Sequence, residues 1–430
     1  MIAFVSCCCQ SRGKEYNKGA DTKGWKILFA SFRKIKPLNA VVWTQFLSAF
    51  ADNLNFFLIV GLVKREGAAD PDGMVTYIQM AFLVAYVVLA PIVGAFADKK
   101  AKSHVLLLGN AMKATGITLL LLGVPPALCY FFVGVGAVVY SPGKYGILSE
   151  LTKSEGELLK ANAQVEGSTI LAILLGTVAG GFLAARSDLP AILVCLFIYL
   201  LSLAMTFLVP VKPGNPDIRY RAASGQFFRD AAKLFRNRRS RFSLIGTGAF
   251  WLTASVLRIA LIAWLPLNLG IVDTDQQSMI IGVTALGVVA SAWLTPRLVP
   301  EGRLYRGFFY GIAMVGAVMA ANFTNELWLT VSLLFVTGVM GGIFLIPLNT
   351  MLQEEGKALV GPGRTIAVQN FVENALTVVG LFLYLTLRKM EVPVNYSVVG
   401  IGAVLTLFFI YLAFQFGKIR ESYALIRAKR

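Results

Sequence analysis

Residues 38–63 read LNAVVWTQFLSAFADNLNFFLIVGLV, and residues 242–269 read FSLIGTGAFWLTASVLRIALIAWLPLNL. Each is long enough to cross a ~30 Å hydrocarbon layer as a helix. Each also holds an ionisable residue about halfway along, Asp52 in the first and Arg258 in the second. An ionised side chain at that depth costs on the order of several kcal/mol, so it faces a partner or a water-filled path. Two such residues, almost equally far into two halves of the chain, mark a polar site at the centre of a two-part membrane protein.

Composition supports the membrane setting, with 57% hydrophobic residues, only 15% charged ones and a mean hydropathy of +0.68. No soluble domain has that balance. Apolar runs of spanning length recur twelve times, near 38–63, 74–97, 104–123, 126–148, 162–185, 189–209, 242–269, 277–298, 304–322, 326–353, 365–387 and 393–417. The pattern predicts an all-α membrane protein of twelve transmembrane helices in two six-helix bundles. Of the 40 Lys and Arg residues, only Lys64, Arg65, Arg186, Arg388 and Lys389 fall in the odd-numbered loops. The positive-inside rule then places both termini in the cytoplasm. Anionic membrane lipids account for the net charge of +17 better than nucleic acid does, because no run of base-stacking aromatics accompanies it outside the spans.

The longest polar interval predicts the boundary between halves: a tail (1–37), a first bundle (38–209), a linker (210–241), a second bundle (242–417) and a final tail (418–430). Inside the linker, Phe227, Phe228, Ala231, Leu234 and Phe235 recur at helical spacing among Arg229, Lys233 and Arg236. That is the pattern of a helix lying on the cytoplasmic face, though a solvated basic linker has the same composition. One constant offset carries Gly136 onto Gly341, Pro142 onto Pro347, Glu150 onto Glu355, Gly156 onto Gly361 and Gln164 onto Gln369. Parallel six-span repeats of this kind build secondary transporters that rock around a midplane site.

After the second span the chain reads Gly94-Ala-Phe-Ala-Asp98-Lys99-Lys100-Ala-Lys102. This resembles the signature of the major facilitator superfamily, a Gly, an acid four residues on and then clustered bases. Ala101 replaces the usual second Gly, and the corresponding loop after span 8, Pro296 to Arg303, lacks the acid of that signature. The resemblance implies that Asp98, Lys99 and Lys102 latch spans together at the cytoplasmic side. Longer strings are similar to the bacterial lysophospholipid transporters: Gln45 to Asn53, Tyr140 to Leu148, Arg241-Phe-Ser-Leu, Gly341-Gly with Pro347-Leu-Asn349, and Ala367-Val-Gln-Asn370 with Glu373-Asn374. That resemblance spans about 38–387 and leaves out the basic N-terminal extension. It implies inward movement of lysophosphatidylethanolamine and related lysolipids between leaflets of the inner membrane, for reacylation by an acyltransferase acting at the cytoplasmic face.

The residues suit such a cargo on their own terms. An ethanolamine headgroup carries a phosphate and an ammonium, so its site needs a cation and an anion. Arg258 offers a planar fork for phosphate, Asp52 can accept the ammonium, and Lys144, in a span broken by Pro142-Gly143, adds a second cation nearer the cytoplasm. Asp52 and Arg258 could instead pair with each other as a lock between halves. Asn53, Lys113 and Glu373 are further candidate substrate-binding residues inside spans, with Gln369, Asn370 and Asn374 beside Glu373 and with Asn162, Gln164 and Glu166 at the start of span 5. Amides and snorkelling lysines also serve as plain helix contacts. Glu150 and Glu355 end spans 4 and 10, where pairing with Lys153, Lys357 or Arg364 would make an inner gate, unless they only complete helix ends.

Other classes fit less well. The single histidine, His104, has Gly109 where a His-x4-Asp acyltransferase motif needs its acid, which argues against an enzyme. No phosphate-binding loop of the G-x4-G-K-[ST] type is present, and no residue pattern implies a cofactor or metal. A proton-coupled exporter of drugs or small metabolites on the same fold is the closer alternative. Cys7-Cys8-Cys9 lack metal-ligand spacing, and the stretch from Trp25 to Lys34 could rest on the membrane surface.

Overall fold

The computed structural model describes residues 36–65, 71–184, 187–220, 223–271 and 274–428. The N-terminal extension, with Cys7-Cys8-Cys9 and the stretch from Trp25, lies outside the described residues. Six long helices come first: α1 (Pro37–Arg65), α2 (Pro71–Lys99), α3 (Lys102–Leu121), α4 (Pro126–Leu151), α5 (Glu155–Ala184) and α6 (Asp188–Thr206). A short α7 (Ala223–Arg236) follows, then α8 (Arg238–Leu269), α9 (Thr274–Leu298), α10 (Gly307–Asn322), α11 (Leu327–Leu359), α12 (Pro362–Lys389) and α13 (Val394–Ala428). Eleven of the long helices contain an apolar stretch long enough to cross a membrane among their described residues. The remaining one, α2, carries the equally apolar sequence 74–97.

Several helices outrun the apolar runs that announce them. Helix α5 starts at Glu155, α8 at Arg238, and α13 continues to Ala428. Hydropathy locates only the part of a helix that lies in hydrocarbon, whereas backbone hydrogen bonding continues into polar turns. Pro142 does not break its span: α4 runs continuously from Pro126 to Leu151 through it. A proline removes one backbone donor, and packed neighbours in a bundle make that loss tolerable.

Close helix contacts follow small residues. On α5, a side chain at Gly176 would meet the Phe50 carbonyl at 2.5 Å, and one at Gly180 would meet the Leu54 Cα at 2.9 Å, so α1 packs there against bare backbone. Ala51, Leu54, Ile117, Cys129 and Tyr199 form an apolar cluster among the first six long helices. Phe242, Phe308, Phe344 and Phe409 anchor another among the last six. A third cluster joins the two sets, with Val93 and Ala97 of α2 packed near Ala367 and Val368 of α12. Outward-facing Phe182, Phe197, Met279, Trp293, Phe382 and Phe414 are exposed, the sign of a surface made for lipid.

The linker helix forms as its spacing predicts. Its apolar face docks on the bundle rather than standing free: Phe227 meets Phe371 edge-on at 5.6 Å and Leu234 is fully buried, while Phe228 remains exposed.

Candidate functional site

Asp52 is held within the first six helices. Lys113 of α3 donates to its Oδ2 at 2.7 Å and Tyr199 of α6 to its Oδ1 at 2.9 Å. Lys113 is 2% exposed, and its ammonium also donates to Ser48 at 2.9 Å, which in turn donates to Asn110. A buried ammonium needs a carboxylate and further acceptors, so Lys113 is internally paired rather than snorkelling. Asn53, the next residue on α1, turns away and donates to the Ala49 carbonyl of its own helix at 2.8 Å. No ion pair joins Asp52 to Arg258 in this state.

Arg258 lines a cavity of about 410 Å³ between α1, α5, α8, α9 and α11. The walls are largely apolar, among them Phe57, Ile173, Leu174, Trp251, Leu261 and Val288. Among the described residues Arg258 has no hydrogen-bond or ion-pair partner. A guanidinium projecting into an apolar chamber is suited to an anion whose remainder is hydrocarbon.

A second polar cluster crosses between the two sets of helices. Tyr145 of α4 donates to Glu166 of α5, and Asn349 of α11 donates to the same carboxylate oxygen at 3.2 Å. Gln369 of α12 donates to both Asn349, at 2.7 Å, and Glu373, at 2.7 Å. Nearby, Asn370 donates to Ser141 at 2.8 Å, and Asn162 and Gln353 exchange amide hydrogen bonds. Lys144 lies in this region, 8% exposed, with its ammonium 4.0 Å from the centre of the Tyr145 ring. It has no hydrogen bond or ion pair among the described residues.

The end of the bundle nearest the Asp98 loop is closed. Asp98, 7% exposed, accepts from Lys102 at 2.8 Å and from the backbone N–H groups of Gly363 at 2.6 Å and Arg364 at 2.9 Å. It therefore caps the first turn of α12 from across the seam, where free N–H groups and the helix dipole favour a carboxylate. The glycines explain themselves here. A side chain on Gly94 would meet Ala367 at 2.8 Å, and one on Gly361 or Gly363 would collide with the Asp98 carboxylate. Lys99 donates to the Ile218 carbonyl at 2.7 Å and lies over the Tyr220 ring, tying the linker to this loop.

Glu150 and Glu355 do not make the pairs expected of them. Glu355 pairs with Arg239 and accepts from Asn237, both near the start of α8. The Glu150 side chain has no ion pair among the described residues. Lys357 donates to the Ser149 carbonyl beside it, and Arg364 goes to Asp98 and Asp230. Asp230 is fully buried and escapes a reading by hydropathy, although it shares a helical face with Phe227 and Leu234 and that placement is its signal. The loop after α9 also has an acid in play after all: the Glu301 carboxylate lies against Gly156, and Glu155 accepts from the Gly302 N–H at 3.0 Å.

Residues 41–381 match the family model of the Major Facilitator Superfamily. The Lysophospholipid transporter LplT of Yersinia enterocolitica is 40% identical over 358 residues, 83% of this chain and 88% of its own. That of Yersinia pestis is 39% identical over 362 residues, covering 84% and 88%. Among solved structures, the human organic anion transporter MFSD10 superposes with a TM-score of 0.71 at 17% identity, over 88% of this chain and 100% of that one. The E. coli fucose:proton symporter FucP, as its N162A variant, gives 0.68 at 15%, over 88% and 98%. The twelve long helices, the Asp98 cap on α12 and these likenesses agree: this chain belongs to the major facilitator superfamily and, within it, to the family of the Yersinia lysophospholipid transporters.

Proposed function

We propose that this chain moves lysophospholipids, chiefly lysophosphatidylethanolamine, from the outer to the inner leaflet of a bacterial inner membrane by alternating access. The observation that carries this reading is Arg258, a guanidinium with no partner among the described residues, on a cavity with largely apolar walls. A lysophospholipid presents one phosphate and one acyl chain, and both needs are met there. The family relationship points the same way. In this reading Asp52 is shared, holding Lys113 when the site is empty and accepting the headgroup ammonium when it is loaded, while Lys144 receives the phosphate further along.

The units 38–209 and 242–417 rock against each other, with 210–241 as the strap between them. Both termini face the cytoplasm, where the bases concentrate, so the closed end at Asp98 is the cytoplasmic one and the state described is closed inward. Asp98, Lys99 and Lys102 set the balance of states. Lysolipid delivered inward becomes a substrate for an acyltransferase at the cytoplasmic face. A proton-coupled exporter of soluble metabolites would need a more polar chamber than the one around Arg258.

Reconstitution tests this. Purified chain in vesicles carrying labelled lysophosphatidylethanolamine in one leaflet should move label to the other leaflet, unchanged chemically and without ATP. Chemical conversion of the lipid would indicate an enzyme, and protein-independent movement would remove the proposal.

A further inference from the structure

The cluster around Lys144 has a composition that packing alone does not explain. Lys144 is nine-tenths buried, yet among the described residues its ammonium meets an aromatic face and no hydrogen-bond or ion-pair partner. A buried cation without an anion is expensive, and a ring face compensates only part of the loss of water. Two carboxylates stand in the same region, Glu166 and Glu373, and neither pairs with it. Each is instead engaged by neutral donors along one continuous chain: Tyr145 and Asn349 on Glu166, Gln369 on Asn349 and on Glu373. Glu166 and Tyr145 come from the first six helices, whereas Asn349, Gln369 and Glu373 come from the last six. The Asn349–Glu166 bond, at 3.2 Å, is therefore the link in this chain that crosses the seam.

We infer that this chain is an inner gate operated by a cationic headgroup: the ammonium of a lysophospholipid displaces Asn349 from Glu166 while Lys144 takes the phosphate. The inference rests on the proposed transport of lysophospholipid and adds a second station beyond Arg258. The physical reason is one of competition. A neutral amide donor on a carboxylate is a weaker partner than an ammonium, because charge-assisted hydrogen bonds are roughly twice as strong as neutral ones. An arriving ammonium thus gains more at Glu166 than Asn349 loses, and the bond that is lost is one of those that tie the halves together. The headgroup would loosen the seam only when present, which is the coupling alternating access requires. A headgroup lacking an ammonium would occupy Lys144 without releasing Asn349.

Two substitutions separate the charge from the bridge. Glu166→Gln keeps an acceptor for Tyr145 and Asn349 and removes the charge, whereas Asn349→Leu removes the bridge and keeps the charge. Both are compared with the parent chain, in a background whose native cysteines are replaced by serine, in vesicles supplied with acyl-matched lysophosphatidylethanolamine or lysophosphatidylglycerol. A cysteine at Ser149, buried at the closed end, reports opening through labelling by a thiol reagent added on the cytoplasmic side. Glu166→Gln should lower the ratio of ethanolamine to glycerol lipid transport by about tenfold and leave lipid-free labelling unchanged. Asn349→Leu should raise lipid-free labelling severalfold and lower that ratio by raising transport of the glycerol lipid, which no longer meets a bridge it cannot release. A Glu166→Gln ratio within twofold of the parent, or unchanged labelling in Asn349→Leu, would overturn the gate. Failure of the parent chain to move either lipid would instead remove the transport reading beneath it.

Discussion

Two seams close the same end of this molecule, and they are built differently. Between α2 and α12, Asp98 is buried, capped onto two backbone N–H groups, paired with Lys102 and reached by Arg364, which also binds Asp230 of the linker helix. Between α5 and the loop after α9 the contacts include a bond from Gly302 to Glu155 and the Glu301 carboxylate lying on Gly156. The cavity that holds Arg258 is bordered by these same two helices, α5 and α9. The two seams thus differ in setting, one holding the buried Asp98 and the other flanking the cavity of Arg258. A carboxylate with several donors and little solvent, such as Asp98, is suited to holding a state.

That division is open to attack from the binding side first. Arg258→Ala should reduce lysolipid transport roughly a hundredfold or more, the scale seen when one partner of a desolvated charge pair is truncated. Lysine at that position should restore only part of the activity, because a point charge lacks the bidentate fork. Near-parental flipping by a correctly inserted Arg258→Ala protein would move the site elsewhere.

Asp52→Asn comes next in size. It leaves Lys113 buried without its carboxylate, so the melting temperature should fall, by an amount corresponding to about 2 kcal/mol once the partial exposure of Asp52 is allowed for. Adding Lys113→Met should recover much of that stability. Transport of the ethanolamine lipid should drop more than that of the glycerol lipid. Equal losses for the two, with stability recovered in the double variant, would reduce Asp52 to a structural role.

The two seams can then be compared directly. Asp98→Asn should slow turnover several-fold and raise labelling of cysteines at the closed ends of α4 and α11, a shift of at most a few kcal/mol between states. Glu301→Gln, on the other seam, should change the transport rate by less than about twofold, the range expected when a neutral amide replaces an exposed acid. Similar effects from both substitutions would erase the asymmetry.

The sequence made the span count, the two-part repeat and the linker helix legible, because each is a pattern of apolar spacing. It also drew attention to particular charges, since Asp52, Lys113, Lys144, Arg258 and Glu373 are conspicuous in apolar runs. What it did not show was who pairs with whom. Asp52 and Arg258 looked like mates by their depth, yet the rotation of α1 presents Asp52 to α3 and α6. The expected acid–base pairs at Glu150 and Glu355 failed for the same reason, since helix ends at one level can face different neighbours. Glu301 escaped because it does not stand at the signature's position in its loop, and Asp230 because one acid in a basic helix resembles a solvated residue.

The most direct test of the division between chamber and latch is equilibrium binding of labelled lysophosphatidylethanolamine to three purified proteins, the parent chain, Arg258→Ala and Asp98→Asn. Saturable binding should vanish in Arg258→Ala and stay within about tenfold of the parent, ~1.4 kcal/mol, in Asp98→Asn. Affinity retained by Arg258→Ala and lost by Asp98→Asn would contradict the account, placing the lipid at the seam between α2 and α12 instead.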